Sequence, residues 1–337
     1  MTILVTGATS GLGRNAVEWL RARQLSVRAT GRDIEAGRML QRLGADFHPL
    51  NLDTARDEEI HQLVQGCDAV WHCAARSAPW GPKAAFMLTN AAVTKRLALA
   101  AGQSGVPRFI HISTPAIYFD FTHRLNVSET FRATRFANHY AHSKFMAEEH
   151  VTHSQQAFPD TRFTILRPRG LFGPHDRVIL PRVLTQIRHH RGVLRLPRGG
   201  DAVLDLTFSL NAVEAMWQAT AATALPPAAI YNVTNHEPRP LKQMLHQLIG
   251  EHMAQPFSIK CMPYRLLHGI AAGMETIATV SGREPMLTRY SVGAVNFDMT
   301  LSSERAIQEL GYHPVHSLDE GIALTAQAWQ RGEHRYG

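Results

Sequence analysis

The stretch ILVTGATSGLG, residues 3–13, is the strongest fold signal in this chain of 337 residues. An apolar run leads into three glycines, Gly7, Gly11 and Gly13, and a helical pattern follows them. A phosphate group needs backbone N–H donors at the positive end of a helix, and a side chain at the turn would block its approach. In a strand–turn–helix of this kind, Gly7 ends the strand, Gly11 lets the backbone close on the phosphates, and Gly13 lets the helix pack on the strand. The stretch therefore predicts a dinucleotide-binding loop.

Short β-rich runs alternate with helix-period segments through the first half of the chain. The predicted strands are Thr2–Thr6, Ser26–Thr30, Ala45–Leu50, Ala69–Cys73, Phe109–Ser113 and Phe163–Arg167, and Ala228–Asn235 is a further one. Alternating β and α units form a parallel sheet covered on both faces, and right-handed crossovers make it doubly wound. The predicted fold class is α/β: a Rossmann-type doubly wound parallel sheet with a smaller, mostly helical C-terminal substrate lobe.

The character of the sequence changes after Pro168, where RPRGLFGPHDRV (residues 167–178) is rich in glycine and proline and predicts a loop that leaves the sheet. The resulting domain prediction is a dinucleotide-binding Rossmann domain at 1–168, rejoined by about 203–235, and a substrate-binding lobe from 169–202 and 236–337.

Composition indicates an ordinary globular protein, with 45% hydrophobic and 19% charged residues. The net charge of +7 favours anionic partners, but the arginines are scattered and form no basic arm, so no nucleic-acid partner is expected. Cys67, Cys73 and Cys261 have neither disulfide nor metal spacing, and the 19 histidines lack a Cys or carboxylate partner, so no metal is expected. A strand that begins almost at Met1, with no apolar run of membrane-spanning length, favours a cytoplasmic location.

The segment YAHSK carries Tyr140 and Lys144, which share one face of a helix because they are four residues apart. The pKa of a free tyrosine is about 10, which is too high for efficient proton transfer at neutral pH. A nearby ammonium group favours the phenolate and lowers that pKa. The pair therefore indicates an acid–base function for Tyr140.

The segment FIHISTPAIY, residues 109–118, predicts a strand that runs into a turn carrying the hydroxyls of Ser113 and Thr114. Such hydroxyls can orient a carbonyl substrate. They can also simply cap the end of a strand by hydrogen-bonding to the backbone of the turn.

Together these motifs resemble the short-chain dehydrogenase/reductase superfamily, in the extended branch of NAD-dependent epimerases and dehydratases. The stretches REPMLTRYSVG (283–293) and ERAIQELGYHPVHSLDEGI (304–322) are similar to its 3β-hydroxysteroid dehydrogenase-like members, which include bacterial reductases of long-chain β-keto compounds. Extended members usually read T-G-x-x-G-x-x-G. Here Ser10 occupies the place of the middle glycine and Gly11 comes one place late, which we interpret as a shift within one loop.

The resemblance implies hydride transfer between a nicotinamide and a carbonyl or carbinol carbon. It makes Tyr140 the general acid or base, Thr114 the group that aligns the carbonyl oxygen (with Ser113 as the fallback), and Lys144 the group that tunes Tyr140 and holds the ribose. It implies cofactor contacts at Gly7, Thr9, Ser10, Gly11, Leu12, Gly13, Arg32, Asn51, Leu52, Cys73, Ala74, Ala75, Asn90, Ser113, Tyr140, Lys144 and Pro168.

The end of the second strand indicates which cofactor is used. NAD enzymes place a carboxylate there for the ribose hydroxyls, whereas NADP enzymes often supply an arginine for the 2′-phosphate. Counted from Gly7 in the family's spacing, the position of that acid is Gly31, and Arg32 follows. The sequence therefore favours NADP(H) over NAD(H). The alternative is that Arg32 is a surface residue and Asp33 serves the ribose.

The resulting functional prediction is an NADP(H)-dependent ketone/alcohol oxidoreductase acting on an apolar, steroid-like or β-keto substrate. The alternatives are a nucleotide-sugar epimerase or dehydratase with bound NAD, and a non-catalytic nucleotide-binding protein. The resemblance also implies a homodimer. The apolar helix predicted at 264–280 packs on the lobe, or serves as a lid or a peripheral membrane contact.

Overall fold

A computed structural model describes residues 1–332 of the protein, so residues 333–337 of the predicted substrate lobe lie outside the described residues. The strands are β1 Thr2–Thr6, β2 Ser26–Gly31, β3 Asp46–Pro49, β4 Ala69–His72, β5 Arg108–Ile112, β6 Arg124–Val127, β7 Arg162–Pro168, β8 Leu171–Phe172, β9 Val193–Pro197, β10 Val203–Leu204, β11 Thr207–Phe208, β12 Ala229–Val233, β13 Arg239–Pro240, β14 Ser258–Met262 and β15 Met299–Leu301. The α-helices are α1 Gly11–Ala22, α2 Ile34–Arg42, α3 Asp57–Val64, α4 Lys83–Phe86, α5 Val93–Gln103, α6 His139–Ala157, α7 Leu180–His189, α8 Ser209–Ala221, α9 Leu241–Leu245, α10 Tyr264–Ser281, α11 Arg289–Ala294 and α12 Leu318–Gln330.

Seven strands form one parallel sheet in the order β12-β7-β5-β4-β1-β2-β3. The central strands are buried almost throughout because helices cover both faces of the sheet. The strand order reverses between β1 and β4, and open sheets of this kind bind their ligands outside the carboxyl ends of the strands at such a point. The fold-class prediction is confirmed, and the strand ends differ from the predicted ones by one or two residues.

Two apolar clusters fill the layers between this sheet and its helices. On one face, Trp19 of α1 packs at a tilt against Trp71 of β4 and Trp217 of α8, with ring centroids 6.5 and 5.7 Å away. On the other face, Leu97 of α5 and Phe109 of β5 belong to a cluster in which both side chains are fully buried. The sheet is therefore a rigid base for the loops at its carboxyl edge.

The lobe contains more β-structure than the sequence predicted. Four short strands pair in the order β13-β10-β15-β6, and two parallel pairs, β11–β8 and β14–β9, lie beside them. These strands have two to five residues, and they pair segments that are far apart in the sequence. Strands this short carry too little alternation for periodicity to reveal them. Helices α7, α9, α10, α11 and α12 make up most of the remaining lobe.

Helix α10, which the sequence predicted as apolar, exposes one of its faces. Leu266, Ile270, Ile277 and Val280 are 50%, 44%, 68% and 88% exposed, whereas Leu267 and Ala271 are turned inward and buried. The helix has an apolar inner face against the lobe and a second apolar stripe that faces solvent. No helix in residues 1–332 is long and apolar enough to cross a bilayer.

Candidate functional site

The predicted cofactor residues gather along the carboxyl edge of the seven-stranded sheet. They lie in the β1–α1 turn (Gly7, Thr9, Ser10, Gly11, Leu12 and Gly13), after β2 (Arg32), after β3 (Asn51 and Leu52), after β4 (Cys73, Ala74 and Ala75), after β5 (Ser113), at the end of β7 (Pro168), and on flanking helical turns (Asn90, Tyr140 and Lys144). Residues at the ends of six strands and on two flanking helical segments therefore surround one crevice.

The glycine turn is held by close backbone contacts. Gly7 has a φ of +65°, and a Cβ atom on it would lie 2.8 Å from the Cα of Ala74. A Cβ atom on Gly13 would lie 2.3 Å from the carbonyl oxygen of Gly7. Only glycine fits where β1, β4 and α1 meet, as expected of a cradle for a dinucleotide. Ser10, at the N-terminus of α1, makes no side-chain capping bond to the helix.

A loop from the start of the lobe lies over this turn, and the sequence analysis gave its residues no function. The Gly11 N–H donates to the carbonyl oxygen of His175 at 3.2 Å, and the Asn15 side chain donates to that of Pro174 at 2.8 Å. His175 has a φ of +60° and pairs with Glu18 at 3.0 Å. The loop thus meets the helix N-terminus at which phosphates bind.

The end of β2 has a geometry that excludes an acid at position 31. A Cβ atom on Gly31 would lie 2.6 Å from the Thr9 side chain, which is itself buried. Arg32 is exposed, and no described residue pairs with it. Asp33 caps α2 by accepting from the Ala36 N–H at 3.0 Å, and its other oxygen lies 4.0 Å from Arg177.

The residues after β3 differ in their exposure. Asn51 is exposed, and its side-chain oxygen accepts from the Asp53 N–H at 3.2 Å. Its amide group stays available to a ligand. Leu52 is buried in the core, so in this conformation it supports the loop through packing.

Tyr140, Thr114 and Ser77 lie together at one end of the crevice. The hydroxyls of Thr114 and Ser77 lie beside the phenol of Tyr140 and act on its pKa. Thr114 also accepts from the Ala116 N–H at 3.2 Å, so it caps the turn that follows β5. Ser77 follows Arg76 in a loop after β4, and the sequence analysis did not select it. Burial raises the pKa of Tyr140, and the hydroxyls of Thr114 and Ser77 lower it by less.

Lys144 is turned into the protein, beneath Tyr140. Its ammonium group donates to the carbonyl oxygen of Ile112 at 2.6 Å and to Nε2 of His111 at 3.1 Å. Burial lowers the pKa of Lys144 to about 8, and the nearby Glu148 opposes that shift. The expectation that Lys144 lowers the pKa of Tyr140 is not met in this geometry, because the ammonium is held by His111 and Ile112 instead.

A chain of hydrogen bonds between uncharged groups lies on the protein side of the crevice. The Ala74 N–H donates to Thr6 Oγ1 at 3.1 Å, and Thr6 lies 2.8 Å from Nδ1 of His72. Nε2 of His72 lies 2.8 Å from Thr94 Oγ1, whose proton goes to the carbonyl oxygen of Asn90 at 2.6 Å. The tautomer is therefore fixed, with the proton on Nε2. Burial lowers the pKa of His72 to about 3, so the ring stays neutral.

Asn90 lies in a π-helical turn between α4 and α5, and its side chain bonds to the loop after β4 and to α6. Its oxygen accepts from the Arg76 N–H at 2.7 Å, and its amide donates to Ser143 Oγ at 2.9 Å. Ser143 in turn donates to the carbonyl oxygen of Tyr140 at 2.8 Å. Asn90 thus ties the loop after β4 to the first turn of α6. Such π-turns often occur at functional sites.

The other wall of the crevice is built by the lobe. Tyr290 lies close enough to Tyr140 and Arg169 for their charges to act on it, and burial raises its pKa to about 12. A cavity of about 330 Å³ opens between the loop at Trp80 and the residues Glu275 and Thr276 of α10. Sequence reasoning missed Tyr290 and Arg169. In the sequence, the one indication that Arg169 lies at the site is its position directly after Pro168, a predicted cofactor residue.

The residues fit a bound dinucleotide. A Cβ atom on Gly7 or Gly13 would collide with neighbouring backbone, whereas the space beside Gly11 is open, and the hydroxyl of Ser113 is buried without a hydrogen-bond partner at the end of β5. Burial raises the pKa of the Cys73 thiol to about 12, so this neighbour stays neutral. Among residues 1–332, no three His, Cys, Asp or Glu side chains form a group that could hold a metal ion.

Comparisons with known proteins agree with this geometry. A sequence model of the NAD dependent epimerase/dehydratase family matches residues 3–234. The chain is 48% identical to the uncharacterized protein YbjS of Escherichia coli, over 98% of both chains. It is 30% identical to a 2-alkyl-3-oxoalkanoate reductase of Stenotrophomonas maltophilia, over 96% of this chain and 97% of the relative. A UDP-glucuronic acid 4-epimerase of Bacillus cereus, solved with NAD, superposes with a TM-score of 0.77 at 18% identity, over 98% of this chain and 97% of that chain.

Proposed function

The chain belongs to the NAD-dependent epimerase/dehydratase family, and from this premise we propose that it interconverts a ketone and a secondary alcohol with NADP(H), on an apolar, β-oxo or steroid-like substrate. The family and its reductase relative make the protein an NAD(P)-dependent oxidoreductase. The observation that carries the proposal is the phenol of Tyr140 beside the hydroxyl of Thr114, at the sheet edge that also holds the glycine turn.

When bound, the nicotinamide supplies or accepts a hydride. In reduction, the carbonyl carbon receives the hydride, and Tyr140 gives its phenolic proton to the carbonyl oxygen, so the product is the alcohol. Thr114 donates a hydrogen bond to the same oxygen, where negative charge develops. The raised pKa of Tyr140 keeps this phenol protonated and suits it as the acid. Ser113 and the glycine turn would hold the cofactor, and Lys144 would support its ribose.

The proposal is tested with purified protein, NADPH or NADH, and a panel of β-oxo acids, long-chain methyl ketones and oxosteroids. We expect NADPH consumption that matches the alcohol formed, and slower consumption of NADH. NAD that stays bound through purification, with turnover of a UDP-sugar and none of the ketones, would instead support the epimerase alternative.

The two alternatives are less well supported. The likeness to a solved epimerase, at 18% identity, concerns the fold alone. The absence of an acid at Gly31 argues against a tightly held NAD. A non-catalytic nucleotide-binding protein would have no use for a phenol at Tyr140 beside the hydroxyl of Thr114.

The NADP(H) preference rests on Arg32, which is exposed beside Gly31. We expect Arg32→Ala to weaken NADPH binding by about 10- to 100-fold, because it removes a charge-assisted hydrogen bond to the 2′-phosphate. NADH binding should change less than threefold. Calorimetric titration of both cofactors measures this, with Arg42→Ala, an exposed arginine of α2, as the matched control. Equal losses for both cofactors would show that Arg32 does not bind the phosphate.

The homodimer, the cytoplasmic location and the domain boundaries remain predictions. Peripheral membrane contact also remains a prediction, and the exposed stripe of α10 supplies a surface for it.

A further inference from the structure

Arg169 is a buried cation without a partner. It is 9% exposed, and its guanidinium makes no hydrogen bond or ion pair within residues 1–332. Its backbone is fixed, because the Arg169 N–H donates to Thr207 Oγ1 at 3.0 Å and its carbonyl accepts from the same hydroxyl at 2.9 Å. Burying an unpaired charge is costly, so an arginine kept in this state points to a missing anion.

Within residues 1–332, Arg169 has a countercharge only at a distance. Asp205 is the nearby carboxylate that acts on it electrostatically, but the two form no ion pair within 4.0 Å. One oxygen of Asp205 accepts from the Leu301 N–H at 3.4 Å, and the other is buried without a partner. Asp205 therefore leaves the hydrogen-bonding edge of the guanidinium free.

Arg169 lies beside the reacting end of the crevice. It follows β7, whose neighbour β5 leads into Ser113 and Thr114, and the Ser113 N–H donates to the carbonyl oxygen of Leu166 at 2.7 Å. Arg169 and Thr114 thus extend from adjacent strands beyond the same sheet edge. Tyr290 is close enough to both Tyr140 and Arg169 for their charges to act on its pKa. All three groups therefore lie on the same side of the crevice.

We propose that Arg169 binds the carboxylate of the substrate, which is therefore a β-oxo acid or the corresponding β-hydroxy acid. In such an acid the carboxylate is separated from the reacting carbon by a single carbon. An oxo group at Tyr140 would therefore bring the carboxylate to this wall, where a planar guanidinium can bind both of its oxygens. The inference rests on the proposed ketone/alcohol chemistry, and it agrees with a relative whose name is that of an oxoalkanoate reductase.

The test compares an acid with its neutral ester on the holoenzyme. 3-Hydroxydodecanoate and its methyl ester are oxidised with NADP⁺ by the wild type, R169Q, R169K and the exposed control R42Q. We expect the wild type to prefer the acid, and R169Q to lose about 100-fold in kcat/KM on the acid but less than threefold on the ester. R169K, which keeps the charge, should recover part of the loss and serves as the main variant if R169Q does not fold.

A binding measurement separates this inference from the proposed function. Dodecanoate, which cannot react, is titrated calorimetrically into the NADP⁺ complex, and we expect R169Q to weaken its binding strongly while R42Q does not. Unchanged dodecanoate binding in R169Q, or equal losses on acid and ester, would overturn the inference and leave Arg169 as a distant partner of Asp205. If the wild type oxidises neither compound, the proposed function fails, while the dodecanoate titration still decides whether Arg169 binds a carboxylate.

Discussion

Tyr140→Phe is expected to lower kcat/KM for ketone reduction by about 10³-fold. The variant keeps the ring but removes the proton that the carbonyl oxygen must receive, and general acid catalysis contributes about 10² to 10⁴ in rate. Thr114 would still polarise the carbonyl, so some residual activity should remain. The rate of NADPH consumption at saturating cofactor measures the effect.

The control for this variant is Tyr264→Phe, which removes a phenolic hydroxyl at the start of α10, in the lobe. It should leave turnover within about twofold, because Tyr264 is half-buried and supplies no proton in the proposed mechanism. NADPH affinity should be similar in both variants. A Tyr140→Phe enzyme with wild-type turnover would mean that another group supplies the proton, and the proposed mechanism would be wrong.

Arg167→Met is expected to destabilise the fold by about 3 to 5 kcal/mol, because it leaves a buried charge without a partner. Arg167 donates to both oxygens of Glu148, at 2.9 and 2.5 Å, and to the hydroxyl of Tyr118 at 2.5 Å. Both side chains of the ion pair are about 5% exposed. The pair fastens α6, which carries Tyr140, to β7. Urea unfolding measures the loss.

The matched control is Arg38→Met, because Arg38 pairs with Glu35 on the surface, with side chains 61% and 80% exposed. An exposed pair of this kind contributes at most about 1 kcal/mol. Substituting Arg167 and Glu148 together by apolar residues should recover much of the lost stability, since no unpaired charge then remains. If Arg167→Met costs no more than Arg38→Met, the buried pair does not fasten α6 to the sheet.

The nucleotide-binding end of the site was predictable because its signals are local. The spacing of Gly7, Gly11 and Gly13 reflects a turn made by consecutive residues, and Tyr140 and Lys144 share a face by helical geometry alone. The direction of the Lys144 side chain was not predictable. It depends on His111 and Ile112 of strand β5, about thirty residues earlier in the chain than Lys144.

The sequence by itself determined the alternating α/β fold and the glycine turn, and it supplied the residues that we propose for proton transfer, because each of these depends on neighbours within a few positions along the chain. Only the tertiary structure decided what faces Tyr140 across the crevice. Ser77, Arg169 and Tyr290 come from three separate segments, and the short strands of the lobe pair across long stretches of sequence. Burial and the loss of charge partners arise from such non-local packing, so the unpaired guanidinium of Arg169 became visible only in the folded chain.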